Sequence, residues 1–194
     1  MERLRDAAAA GLTDLGENRV QEAAPKIAAL AGASPRLRWH MVGRLQSNKA
    51  RRAVELFDEL HSVDSLDLAR RLSRTAADPG RAPLPIYLQA NVDADPAKAG
   101  FAPEALAAAI DELAALPGLE LRGLMTVGRP AESPEDTRPA FAALRLLSER
   151  LRRQQPALGA GLSMGMSDDF EAAIVEGATV VRIGRALFGE RPPG

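Results

Sequence analysis

The chain of 194 residues contains no cysteine. Disulfides, thiolate catalysis and cysteine-ligated zinc are excluded, and a reducing cytoplasm is the expected compartment. Lysine is scarce: only Lys26, Lys49 and Lys98 occur, so arginine carries nearly all the positive charge. No apolar run approaches the ~20 residues of a membrane span. The first residues, Met1-Glu-Arg-Leu-Arg-Asp6, hold no apolar signal core, so export is not expected. With Lys+Arg 25 against Asp+Glu 26, the net charge is −1 and nothing points to a nucleic-acid or membrane partner.

What is present fits one compact domain over residues 1–194: hydrophobic content is 46%, and no linker or composition break divides the chain. Leu4, Ala7, Ala8 and Leu12 share one face, predicting a helix over 2–11 with no capping Ser, Thr, Asp or Asn ahead of it. Strand–helix units follow. Strands are expected over 13–18, 38–45, 60–63, 86–92 and 119–127, then in the run ending at Leu162–Met166 and over 179–183. Helices are expected over 20–30, 47–56, 66–76, 103–116, 138–153 and 169–176, with loops over 32–35, 78–85, 93–100 and 128–137. Seven strands alternating with helices argue for a parallel sheet covered by helices. Two architectures are compatible: an open doubly wound sheet and a closed (β/α) barrel. No Gly-x-Gly-x-x-Gly follows the first strand, which weakens the former. A barrel needs eight strands, one more than is counted.

Two stretches carry the chemistry. Leu162-Ser-Met-Gly-Met-Ser-Asp-Asp169 ends an apolar run in small and hydroxyl residues and then opens a helix. Val180-Val-Arg-Ile-Gly-Arg185 is a β-branched run broken at Gly184. Two strand ends finishing in Gly and Ser, each feeding a helix N-terminus, suit a phosphate, because backbone N–H groups point outward there. Ser163, Gly165, Met166 and Ser167 are expected to meet it, and Gly184 and Arg185 to complete the cup. Arg182 lies inside the last strand, where a charged side chain needs a partner. Asn18 and His40 are further candidates for ligand contact; a turn asparagine and a barrel-filling histidine are the plain readings. Asn91 ends another strand, and Gly43 gives either clearance or close packing.

The motifs Gly16-Glu-Asn-Arg-Val-Gln-Glu22, Trp39-His-Met-Val-Gly-Arg-Leu-Gln-Ser-Asn-Lys49, His61-Ser-Val-Asp64, Gln89-Ala-Asn91 with Lys98-Ala-Gly100, Gly123-Leu-Met125, Leu162 to Asp168 and Arg182-Ile-Gly184 resemble the YggS/PROSC pyridoxal-phosphate homeostasis family. The resemblance covers essentially the whole chain in the family's order. It implies a (β/α)8 TIM-barrel-like fold similar to the N-terminal domain of alanine racemase, here with seven strands. It implies pyridoxal 5′-phosphate as cofactor and a carrier or buffer role without established turnover, serving pyridoxal-phosphate-dependent client enzymes. By the same resemblance Arg182 faces the pyridine nitrogen, where a cation weakens the ring as an electron sink.

The family attaches the cofactor as a Schiff base to a lysine in a Val-Ser-Lys-Thr-like segment on its first strand. That segment is expected ahead of the first helix, and this sequence starts after it. Covalent attachment is therefore not expected of these residues. The expectation is a start codon assigned too late; a truncated variant, even a non-functional one, is the alternative. Lys49 and Lys98 fall on a helix and in a polar loop, poor places for an imine lysine, and Lys98 is expected at the pocket mouth. An alanine racemase-like enzyme is the competing function. It needs a tyrosine base from a second domain, and Tyr87, the only tyrosine, lies in mid-strand.

Overall fold

The computed structural model describes residues 1–33, 36–129 and 133–189. Parts of the loops expected over 32–35 and 128–137, and the last five residues of the expected domain, lie outside the described residues. After helix α1 (Glu2–Ala9) come β1 (Asp14–Glu17), α2 (Val20–Ala29), β2 (Arg38–Met41), α3 (Ala50–Leu56) and β3 (Glu59–Val63). The chain continues through α4 (Leu66–Ala76), β4 (Leu84–Gln89), α5 (Pro103–Ala115), β5 (Leu119–Met125) and α6 (Arg138–Gln154). It ends with β6 (Gly161–Met166), α7 (Phe170–Val175), β7 (Val180–Arg182) and α8 (Arg185–Phe188).

All seven strands form one parallel sheet in the order β1-β2-β3-β4-β5-β6-β7. A doubly wound sheet reverses its strand order at a switch point, and this one never does. Strands added always on the same side, each twisted against the last, curl into a barrel wall with helices outside. The barrel is nearly closed; among the described residues, β7 and β1 do not pair with each other. β3 is buried along its whole length, as befits a strand covered on both faces.

The helices hold the wall by apolar stripes. On α6, Phe141, Leu144 and Leu151 are all at 0% exposure. Each contributes roughly 1.5–3 kcal/mol by leaving water. Ser65 caps α4 by accepting the Leu68 N–H at 3.3 Å, as its position before the apolar run predicts. Met1 precedes α1 without a side-chain cap.

Several boundaries differ from expectation, those of β2, β4 and α3 among them. β2 stops at Met41 rather than running to residue 45, because Gly43 turns the chain across the end of β1. A Cβ on Gly43 would stand 2.4 Å from the Asn18 carbonyl oxygen, so close backbone packing explains this glycine. β4 begins at Leu84, two residues early and with Pro85 inside it. Pro85 pairs beside Glu120 of β5, while pairing to β3 starts only at Ile86. The missing N–H thus removes no rung toward β3. The helix expected over 47–56 opens as a 3-10 turn, Ser47–Lys49, before α3.

Candidate functional site

The inside of this barrel is crossed by a file of polar groups. Alternation along a strand puts residues two apart on one face, so Glu59 and His61 of β3 both project from the same side. His40 lies beside Glu59 in the β2–β3 register, and Gly16 of β1 lies beside His40. Asp14 Oδ1 is 2.9 Å from His40 Nε2, and His40 Nδ1 is 3.0 Å from His61 Nε2. His61 Nδ1 is 2.8 Å from Ser163 Oγ on β6. Arg182 of β7 donates through Nη1 to that same Ser163 Oγ at 2.8 Å, and through Nη2 to the Thr126 carbonyl at 2.9 Å.

With both imidazoles neutral, the donors can be assigned in only one direction. Asp14 is a carboxylate and accepts, so His40 donates from Nε2. His40 Nδ1 then accepts from His61 Nε2–H, and His61 Nδ1 accepts from the Ser163 hydroxyl. Ser163 in turn accepts from Arg182. Burial pushes His61 down to about 3, helped by His40 and the Arg182 cation, which fits a neutral ring. Asp14 is also lowered: burial raises it, but the hydrogen bonds from His40 and Thr13 outweigh that. Tyr87 stacks on His61 with ring centroids 4.6 Å apart. Burial, then the Glu59 charge, push its phenol upward, so it stays protonated.

Arg182 is half-buried, and desolvation lowers it to about 10 against the opposing pull of Asp169. It remains a cation at neutral pH, and its hydrogen-bond acceptors are neutral. Beyond it, at the ends of β6 and β7, Ser167 Oγ accepts from the N–H groups of Gly184 at 3.2 Å and Ala186 at 3.3 Å. With two N–H groups pointed at its oxygen, the Ser167 hydroxyl has its proton to give elsewhere. Arg185 pairs with Asp168 across the rim. α8 is a single turn, so any anion here is met by individual N–H groups rather than by a sizeable macrodipole. Gly165 sits at φ +91 with room for no side chain: a Cβ would come within 2.6 Å of Ala173 Cβ.

The structure thus brings Gly165, Met166, Ser167, Gly184 and Arg185 together at two adjacent strand ends, with Arg182 just inside. It places Ser163 deeper, at 0% exposure, with its proton committed to His61. The Met166 N–H is taken by Asp169 Oδ1 at 2.6 Å. Asn18 is exposed at the end of β1, and His40 is held in the polar file. Asn91 ties its own loop by bonds to Asp95 of 2.8 and 3.1 Å. Lys98 donates to Asp93 at 2.7 Å and to the Val127 carbonyl at 2.9 Å, beyond the ends of β4 and β5. Lys26 pairs with Glu17 at 2.7 Å. A cleft of about 460 Å³ between α2 and α3, lined in part by Val20, Asn48, Arg51 and Glu55, touches none of these groups.

Sequence reasoning did not single out Asp14, Glu59 or Thr126, and met His61 only within a motif. The readable signal was the spacing Glu59-x-His61 in a strand that alternates them with Leu60 and Ser62. Two polar residues sharing one face of a buried strand require partners across the interior.

The family pattern described as alanine racemase, N-terminal domain, matches residues 1–192. A Pseudomonas aeruginosa relative called pyridoxal phosphate homeostasis protein is 50% identical over 192 residues, covering 98% of this chain and 80% of its own. PipY of Synechococcus elongatus, solved without PLP, superposes with TM-score 0.91 at 46% identity, covering 97% of this chain and 87% of PipY. Its structure with PLP bound gives 0.88 at 46% identity, covering 96% and 86%. Alanine racemase of Clostridium difficile shares the fold at TM-score 0.69 and 19% identity, over 93% of this chain and 46% of the racemase. Among the described residues no helix is long and apolar enough to cross a membrane. The chain belongs to the alanine racemase N-terminal domain family, and within it to the pyridoxal phosphate homeostasis proteins.

Proposed function

We propose that this barrel binds pyridoxal 5′-phosphate and acts as a carrier or buffer of the cofactor rather than as a catalyst. The observation that carries the reading is Arg182, a cation that donates to a neutral hydroxyl and a neutral carbonyl, beside the strand ends that carry Gly165, Ser167 and Gly184. The bound cofactor supplies an aldehyde and an electron-accepting ring. Arg182 suits the lone pair of the pyridine nitrogen, and a cation there keeps that nitrogen unprotonated and the ring a weak electron sink. Ser167, Gly184 and Arg185 suit the phosphate, with Gly165 and Met166 shaping the wall beside it. Ser163 then serves as the bracket that aims Arg182, and His40 and His61 as the bracket's support. Asn18, exposed at the end of β1, is assigned to the ring.

Three features favour a carrier over a racemase. Tyr87 is 4% exposed beneath His61, away from the mouth where a second base would act. The amines of Lys26 and Lys98 are engaged in ion pairs, and Lys49 lies in the 3-10 turn before α3. The homeostasis name of the Pseudomonas relative points the same way, and the PLP-bound form of PipY supports the cofactor. On this reading these residues hold the cofactor non-covalently, in the cytoplasm, for cofactor-dependent client enzymes.

Titration with pyridoxal phosphate, followed by absorbance and protein fluorescence, tests the reading. Arg182→Ala removes a charge-assisted contact of roughly 1.5–3 kcal/mol, so affinity falls roughly 10- to 150-fold. Equal affinity in the two proteins would remove the assignment of Arg182. An absorbance band that survives dialysis and is fixed by borohydride would replace non-covalent holding by an imine. Racemisation of alanine by the loaded protein would replace the carrier by an enzyme.

A further inference from the structure

Among the described residues one trio of potential metal ligands converges, and it lies on the barrel floor rather than in the cofactor cup: His40, Glu59 and His61. We propose that these three bind a divalent borderline cation, zinc in the first instance, beneath the pyridoxal-phosphate site. The proposal does not depend on which ligand the cup takes.

The three donors lie within 4.8 Å of one another, close enough for one ion after local rearrangement. A tetrahedral zinc with Zn–N near 2.05 Å holds two imidazole nitrogens roughly 3.3 Å apart. His40 Nδ1 and His61 Nε2 face each other at 3.0 Å. Glu59 Oε1 lies 3.7 Å from His61 Nε2, and Glu59 Oε2 lies 3.8 Å from His40 Nδ1. The two ring nitrogens now point at each other along their hydrogen bond, with ring centroids 5.2 Å apart, so both rings must turn before their lone pairs converge with Glu59 on one ion. Two histidines and one carboxylate, with the fourth position open, is a donor set zinc takes in catalytic sites.

The surroundings are those of a metal site as well. A ligating histidine is normally oriented by a partner on its other nitrogen. Here Asp14 holds His40 Nε2 at 2.9 Å, and Ser163 holds His61 Nδ1 at 2.8 Å. Arg38 pairs with Glu59 Oε2 at 3.2 Å, which fixes the carboxylate and leaves Oε1 for the ion. The carboxylates of Glu59 and Asp14 match the two charges of the ion, and the charge of Arg38 is half exposed to solvent. The three ligands are largely buried, with side-chain exposures of 12%, 6% and 1% for His40, Glu59 and His61.

Binding would also re-set the polar file, with protons conserved. Without metal, the proton between the rings sits on His61 Nε2. With metal on Nε2, the neutral ring carries that proton on Nδ1 and donates it to Ser163. Ser163 then accepts from both His61 and Arg182, and its own hydroxyl proton swings free toward the cofactor side. No proton is gained or lost; one moves across a ring and one rotates about a C–O bond. The floor ion and the cofactor are thereby coupled through Ser163.

The test uses the untagged, metal-free chain. Zn²⁺ is titrated in competition with a chromophoric chelator, and Co²⁺ is added separately to record its ligand-field spectrum. One equivalent of Zn²⁺ and an intense visible Co²⁺ band of low coordination number are expected. Glu59→Gln and His40→Gln, both checked for native circular dichroism, should each weaken Zn²⁺ at least tenfold and bleach the Co²⁺ band. Absence of the band in the wild-type chain overturns the proposal. So does equal binding by both variants, which would place the ion on the surface. If neither variant folds, the wild-type imidazole NMR signals decide: Zn²⁺ must move the His40 and His61 resonances at one equivalent, and unmoved resonances refute the site.

Discussion

Acid should unfold this protein through His61 more than through any single carboxylate. Its folded value of about 3 lies below the ordinary 6.5 because the ring is buried. The unfolded chain therefore binds the proton more readily than the folded one. The sign follows from linkage: stability is whole above about pH 6.5 and is lost as pH falls toward 3. Over that full window the loss reaches ~5 kcal/mol. Between about pH 7.5 and about pH 5 it is ~2 kcal/mol. The control is His61→Gln, whose amide offers an acceptor to Ser163 and a donor to His40 but does not titrate. Denaturant midpoints for both proteins at the two pH values give the result as a difference of differences. The carboxylates held low by their partners, Asp14, Asp93 and Glu176, remain in both chains and largely cancel. Wild type should lose ~2 kcal/mol more than the variant over this interval. Equal losses would mean that His61 takes up its proton without unfolding the chain, and the single-direction hydrogen-bond file would be wrong.

Two further outcomes follow from the cup. Ser167→Ala removes the hydroxyl whose proton is proposed to reach the phosphate, so pyridoxal phosphate affinity should drop by roughly three- to tenfold at near-native stability, measured by the same titration. Gly165→Val forces a side chain into a φ of +91 and against Ala173, and should cost ~2–4 kcal/mol in chemical denaturation; an unchanged midpoint would show that the β6 end relaxes freely.

Much of the fold could be read from the chain because the strands are short, alternate with helical stretches and are fenced by turn residues. The strand–helix alternation and the order of elements are local properties. Edges were harder. Pro83 and Pro85 disguise the start of β4, and the apolar Val42 extends β2 on paper past the point where Gly43 bends it. The turns that close β6 and β7 were legible for the same reason as the strands, because Gly165, Ser167 and Gly184 mark them. The polar layer beneath them was not. His61 and Ser163 are separated by 102 residues, and only the curling of the sheet brings them to 2.8 Å. A buried polar residue announces a need for partners, but the sequence alone does not say where they stand.

The middle of this protein is wired rather than oiled. From Asp14 to Thr126 each group gives or takes a proton according to what its neighbour does. Substitution there obeys parity as well as volume: exchanging one donor for an acceptor leaves two lone pairs, or two hydrogens, facing each other somewhere along the line. Replacements in this layer should therefore succeed in matched sets, while the apolar shell under the helices accepts them singly.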